Sequence, residues 1–107
     1  MKHEEFAKLF ASFKADMEQL VVTKGKDYTQ GADDRLQNFK KLAGNLGVSP
    51  RIIWGVYCGK HWEAILSYVK GGLESEPLKS RCLDLAVYAF LLYALSEEER
   101  AEAPMPF

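Results

Sequence analysis

The residues of this chain best equipped for chemistry are charged groups set in otherwise apolar stretches. Lys60 and His61 stand among Tyr57, Cys58, Trp62 and Ile65, and Arg81, Asp84 and Tyr88 recur at i, i+3, i+7 along a second apolar run. That spacing puts the last three on one face of a helix. A charge taken out of water without a partner is expensive, so each group must meet a counter-ion, water or a ligand. One solution is an internal ion pair, Lys60–Asp84 or Arg81–Glu63, that fixes helix register. The other is a polar cleft in which Arg and Lys donate to phosphate oxygens while Asp or Asn reads a ribose or base. A second concentration places Lys26, Asp27, Tyr28, Arg35 and Asn38 within thirteen residues. It adjoins an expected helix start, whose free N–H groups favour an anion. Ordinary capping of a surface turn by Asp33 and Asp34 is the plainer account of that segment.

Other chemistries find no support. His61 has no His, Cys or carboxylate at defensible ligand spacing, since Glu63 is two residues away and points elsewhere on a helix. No zinc site follows. There is no Ser-His-Asp order, no GxGxxG and no P-loop, and Gly71-Gly72 reads as a helix stop. His3 is near a terminus and is expected to be exposed. Cys58 and Cys82 lack a CxxC context and are expected to be reduced, buried thiols.

The elements that must position these groups are helices. Phe6, Leu9, Phe10, Phe13, Met17, Leu20 and Val21 form an amphipathic stripe. A loop is predicted from Thr23 through Ala32. Asp33 or Asp34 should cap a shorter helix with Leu36, Phe39, Leu42, Ala43 and Leu46 inside, ended by Gly47. Ser49-Pro50 reads as N-cap and first position of a third helix running to about Val69. A fourth is expected from Ser75-Glu76-Pro77 to about Leu95. The last two are apolar around their circumference and must be covered all round. The expectation is an all-α, four-helix bundle-like single domain over 1–107, with a core over 3–95 and an acidic tail over 96–107. Homo-oligomerisation, as a dimer or higher assembly, would complete it.

Composition sets the outer limits. The 107 residues are 48% hydrophobic and 27% charged, ordinary for one folded domain. A net charge of -1 excludes a bulk nucleic-acid surface. From Lys24 to Arg81, however, ten basic residues face six acidic ones, a mildly cationic middle suited to a small anion. The longest apolar run, Leu85 to Leu95, has eleven residues. A membrane span needs about 20, so no membrane partner is expected. The N-terminus carries no signal-peptide pattern, which implies the cytoplasm.

In order, Lys26-Asp27-Tyr28, Arg35, Asn38-Phe39, Lys60-His61, Ser75-Glu76-Pro77, Arg81, Asp84 and Tyr88 resemble a family of small phage-type proteins. The family is a nucleotide-modification-associated domain of unknown function, similar in outline to all-α MazG-like nucleotide pyrophosphohydrolases. The resemblance covers about Lys24 to Leu95. It implies an all-α fold, a viral or prophage source, the cytoplasm of an infected or lysogenic bacterium, and a nucleotide as ligand. MazG-like enzymes hold magnesium with Glu-Glu-x-x-Glu and Glu-x-x-Asp boxes. This chain has no first box in the matching region, and Arg81-x-x-Asp84 replaces the second, a cation that repels magnesium and attracts phosphate.

The expected function is therefore binding of a phosphorylated nucleotide or nucleotide-derived signal without strong catalysis, a viral anti-defence role if the signal belongs to the host. Lys26, Arg35, Lys60, His61 and Arg81 are the phosphate candidates. Tyr28, Asn38, Asp84 and Tyr88 are the base or ribose candidates. No cofactor is required. The alternatives are a Mg2+-dependent nucleotide pyrophosphohydrolase, with Asp27, Glu76 and Asp84 as the conceivable metal set, and a structural or partner-binding helical oligomer.

Overall fold

The apolar stripe that begins at Phe6 winds into the first helix, α1 (His3–Thr29), with Glu4 and Glu5 in its first turn against the positive end of the helix dipole. The computed structural model describes residues 1–29, 33–73 and 77–102, with the backbone alone over 24–29. At 27 residues α1 is about 40 Å long. It corrects the sequence reading, which put a loop from Thr23. The backbone stays helical through Lys24, Gly25, Lys26, Asp27 and Tyr28. One glycine costs a helix about 1 kcal/mol, which alone is too little to end it.

The second helix, α2 (Gln37–Leu46), starts later than expected. Leu36 is its N-cap and no side chain caps it. Asp34 instead accepts the Leu36 N–H at 2.9 Å, closing a turn just ahead of the helix. Gly47 ends α2 as predicted, at φ 69°, with its N–H on the Ala43 carbonyl. Leu36, Phe39 and Ala43 are buried, but Leu46, expected on the inner face, is exposed. Ser49 and Pro50 open α3 (Pro50–Val69) as the sequence indicates. The fourth helix, α4 (Leu78–Glu102), overruns its predicted end at Leu95. Ser96 to Glu102, expected as tail, continues the helix because Glu, Arg and Ala are good helix formers.

The fold is all-α, with four helices and no strand among the described residues. The hairpin of α3 and α4 is its centre. Arg51 Nε meets Glu99 Oε2 at 3.1 Å, Trp54 Nε1 donates to the Tyr88 carbonyl at 2.7 Å, and His61 lies beside Asp84, so the two helices run antiparallel. α2 packs on α3, and α1 packs mainly on α4. Leu36, Phe39, Ala43, Ile53 and Leu95 make the core cluster, flanked by Leu42, Trp54, Tyr88, Leu91 and Ala94. Lys40 ties three segments together, holding Asp34 Oδ2 at 2.6 Å and Glu98 Oε1 at 2.5 Å. No helix among the described residues is long and apolar enough to cross a membrane.

Much apolar surface stays in solvent. The accessible surface is 8299 Å². A compact monomer of 12.1 kDa exposes about 6,000 Å². The radius of gyration is 16.5 Å, where about 13 Å is usual at this length. Phe6, Leu9 and Phe10 on α1 are exposed, as are Ile52, Val56 and Trp62 on α3.

Candidate functional site

Between α2, α3 and α4, roofed by Leu20 and Val21 of α1, lies a cleft of about 1230 Å³. It is large enough for a small organic ligand, for which about 300–1,000 Å³ is typical. Arg35, Asn38, His61, Asp84 and Tyr88 all line it, although the sequence spreads them over more than fifty positions. Three helices and the approach to α2 bring them together. Arg35 is fixed at the approach to α2 by donating from Nη2 to the Val21 carbonyl. Asn38 follows in the first turn of α2. His61 projects from α3, and Asp84 and Tyr88 stand one turn apart on α4.

His61 is the junction. Its Nδ1 lies 3.8 Å from Asp84 Oδ2, too far for a hydrogen bond, and its ring centroid is 5.0 Å from that of Tyr88. Nδ1 is buried and has no hydrogen-bond partner among the described residues. A buried ring nitrogen facing a carboxylate across a gap is a group that a bound polar atom or water would satisfy.

The remaining predicted residues fall elsewhere. The Lys60 ammonium stands 5.8 Å from the Tyr57 ring centroid, while Asp84 has His61, not Lys60, as its neighbour. Arg81 is half-buried on α4, one turn before Asp84, and is not part of the cleft wall. The side chains of Lys26, Asp27 and Tyr28, and the whole of Glu76, lie outside the described residues. Cys58 and Cys82 are free, but Cys82 is exposed where a buried thiol was expected. Burial pushes the Cys58 thiol up from its ordinary range.

Sequence reasoning missed Lys41 and Asn45, which line the cleft with Asn38. The spacing Asn38, Lys41, Asn45 is i, i+3, i+7, one polar face of α2, and that signal was there to be read. Tyr57, assigned to an apolar face, is also a wall residue, one turn before His61.

The electrostatics are more balanced than the cationic sequence average suggests. Four carboxylates, Asp33, Asp34, Asp84 and Glu98, line the cleft with Arg35 and Lys41. Asp34 and Glu98 are already taken by Lys40. The Lys40 hydrogen bond, helped by the Leu36 N–H, holds the Asp34 carboxyl below the usual carboxylate range. Asp34 and then Glu98 raise the Lys40 ammonium above its ordinary value. Asp33 and Asp84 line the same cleft as Arg35 and Lys41, with Asp84 beside His61. Among the described residues no three of His, Cys, Asp and Glu converge to hold a metal ion. The arrangement offers aromatic faces for stacking, an amide and carboxylate edge for hydroxyls or a base, and two cations for an anion. Comparison of the chain with family models, with curated proteins and with solved structures gives no match.

Proposed function

We propose that this cleft binds a phosphorylated nucleotide or a nucleotide-derived signal and holds it without strong catalysis. The observation that carries the reading is convergence: Arg35, Asn38, His61, Asp84 and Tyr88, chosen by residue type and spacing, line one cleft. Tyr88 or Tyr57 offers a stacking face, Asp84 and Asn38 bond the ribose or base, and Arg35 with Lys41 receives the phosphate end. The same reading assigns Lys26, Lys60 and Arg81 to the phosphate as well; Lys60 and Arg81 are not in the cleft wall, and the Lys26 side chain is outside the described residues. A MazG-like arrangement, a phage-type source, the cytoplasm of an infected or lysogenic bacterium and sequestration of a host defence signal belong to the proposal. So does self-association.

The competing reading is a Mg2+-dependent nucleotide pyrophosphohydrolase. Among the described residues no three donors meet, and of the set this reading would use, Asp27, Glu76 and Asp84, only the Asp84 side chain is described. No hydrolytic step is derived from them. A helical oligomer with no ligand is the third reading.

A thermal-shift screen against mono-, di-, tri- and cyclic nucleotides, each with and without magnesium, separates the three. A ligand bound only to the native state stabilises it by RT ln(1 + [L]/Kd), about 2.7 kcal/mol at a hundredfold excess over Kd. A shift without magnesium and without product supports the binder. A shift that needs magnesium and yields product replaces it with the hydrolase. No shift with any nucleotide removes the ligand altogether.

A further inference from the structure

Helix α3 carries two apolar faces, and its own fold uses one. Ile53 and Trp54 turn inward, to the core and to α4. On the other side Ile52, Gly55, Gly59, Trp62, Leu66 and Val69 follow one another at alternating steps of three and four. That is the a/d spacing of a helix that packs along a partner helix. Ile52, Trp62 and Val69 are 55%, 48% and 71% exposed, and Leu66 is half-buried.

The two glycines sharpen this. A glycine inside a helix costs about 1 kcal/mol relative to alanine. A Cβ added at Gly55 or Gly59 would meet nothing within 4 Å, so no neighbour inside the protomer requires either glycine. Their absent side chains leave two notches in a row of large apolar residues.

We infer that α3 is the contact helix of a two-fold dimer, packing antiparallel on α3 of a second copy of this chain. The order of sizes along the seam is what selects this occupant. Placed antiparallel about the point between Gly59 and Trp62, Ile52 meets Val69 of the second copy, Gly55 meets Leu66, and Gly59 meets Trp62. Each notch receives a large side chain, and each pairing occurs twice by symmetry, as an isologous interface demands. The protomer as a whole exposes about 2,300 Å² more than a compact chain of its mass, the α3 face contributing alongside α1, and a standard interface buries about 800 Å² per partner. At the seam's ends Arg51 comes toward Lys70 of the second copy, but Arg51 is already neutralised by Glu99. The face is distinct from the cleft, which opens on the other side of α3 at Tyr57 and His61. The proposal rests on self-association and is independent of nucleotide binding.

Sedimentation equilibrium of the full chain tests it. The wild type is expected to have the mass of a dimer or a multiple of one. Trp62→Glu is expected to raise the dissociation constant at least about thirtyfold, the scale of an interface hot spot. Its helical circular dichroism should be unchanged, because Trp62 is half in solvent already. The double variant Gly59→Trp with Trp62→Gly exchanges the two members of one pair and is expected to recover association. A monomeric wild type at high micromolar concentration overturns self-association and the seam together. An oligomeric wild type whose folded Trp62→Glu variant still associates overturns the seam alone. If Trp62→Glu loses its helical signal, the exchanged variant decides: folded and monomeric, it overturns the antiparallel pairing.

Discussion

Trp54 and Tyr88, thirty-four residues apart, are joined by a single hydrogen bond: the indole Nε1 of α3 donates to the main-chain carbonyl of α4 at 2.7 Å. The bond fixes the height of Tyr88, whose ring stacks at a tilt on His61 in the cleft. Core and site are thus set by the same contact. Trp54→Phe keeps most of the ring and removes the donor. It is expected to destabilise the fold by about 1 kcal/mol in urea unfolding and to weaken nucleotide binding severalfold. Lost stability with unchanged affinity would separate the bond from the site.

Leu95 is the most enclosed side chain in the core, at 2% exposure. Leu95→Ala should cost about 2–5 kcal/mol in chemical denaturation, because a packed interior relaxes only partly around a cavity. Leu92, half-buried a turn earlier, provides the comparison. Its truncation should cost visibly less.

Asp84 faces His61 across a 3.8 Å gap. Asp84→Asn keeps the shape and one acceptor, and is expected to reduce nucleotide affinity about tenfold with no more than about 0.5 kcal/mol of stability lost. Titration calorimetry with the nucleotide giving the largest thermal shift checks this. A loss of stability exceeding the loss of affinity would assign Asp84 to the scaffold.

Lys40 should give stability a pH signature at both ends of the scale. Asp34 is held below its ordinary range by Lys40 and the Leu36 N–H, so its contribution is present above about pH 4 and lost as pH falls through its lowered folded value. Lys40 is raised by Asp34 and Glu98, so its contribution is whole below about pH 10 and disappears as pH rises through its raised folded value. The side chains are about a third exposed, so screening holds each pair to about 0.5–1 kcal/mol. Lys40→Met should remove the alkaline limb and shrink the acid one, where the Leu36 N–H still holds Asp34, in urea midpoints taken from pH 9 to 11 and from pH 2 to 5.

Helix identities were legible where periodicity and punctuation agreed. Gly47 and Ser49-Pro50 carry conformational instructions that little else can supply, and both boundaries fell where those residues stand. The ends of α1 and α4 were not legible. Composition there looked like loop and tail, yet both helices continue: the Glu, Arg and Ala of the α4 end favour it, while at the α1 end a single interior glycine does not stop the helix. Of the site, Arg81, Asp84 and Tyr88 were read correctly as one face of a helix, but a face has width. Asp84 and Tyr88 line the cleft and Arg81 does not. Lys40 drew no attention in the sequence, because neither of its partners is at helical spacing from it. Its role depends on Glu98, fifty-eight positions away and folded back by the α3–α4 hairpin.

That reach across the chain bears on how the protein is made. The partners of Lys40 and Arg51, Glu98 and Glu99, are near the end of α4 and are synthesised after α1, α2 and α3. Until they leave the ribosome, α2 and α3 can form their own turns but lack the clamps that close them onto α4. The nascent chain therefore carries the bare apolar sides of α3 until α4 has been made. The emergence of α4, more than that of the helices before it, decides whether those sides find their own helices or a neighbouring chain.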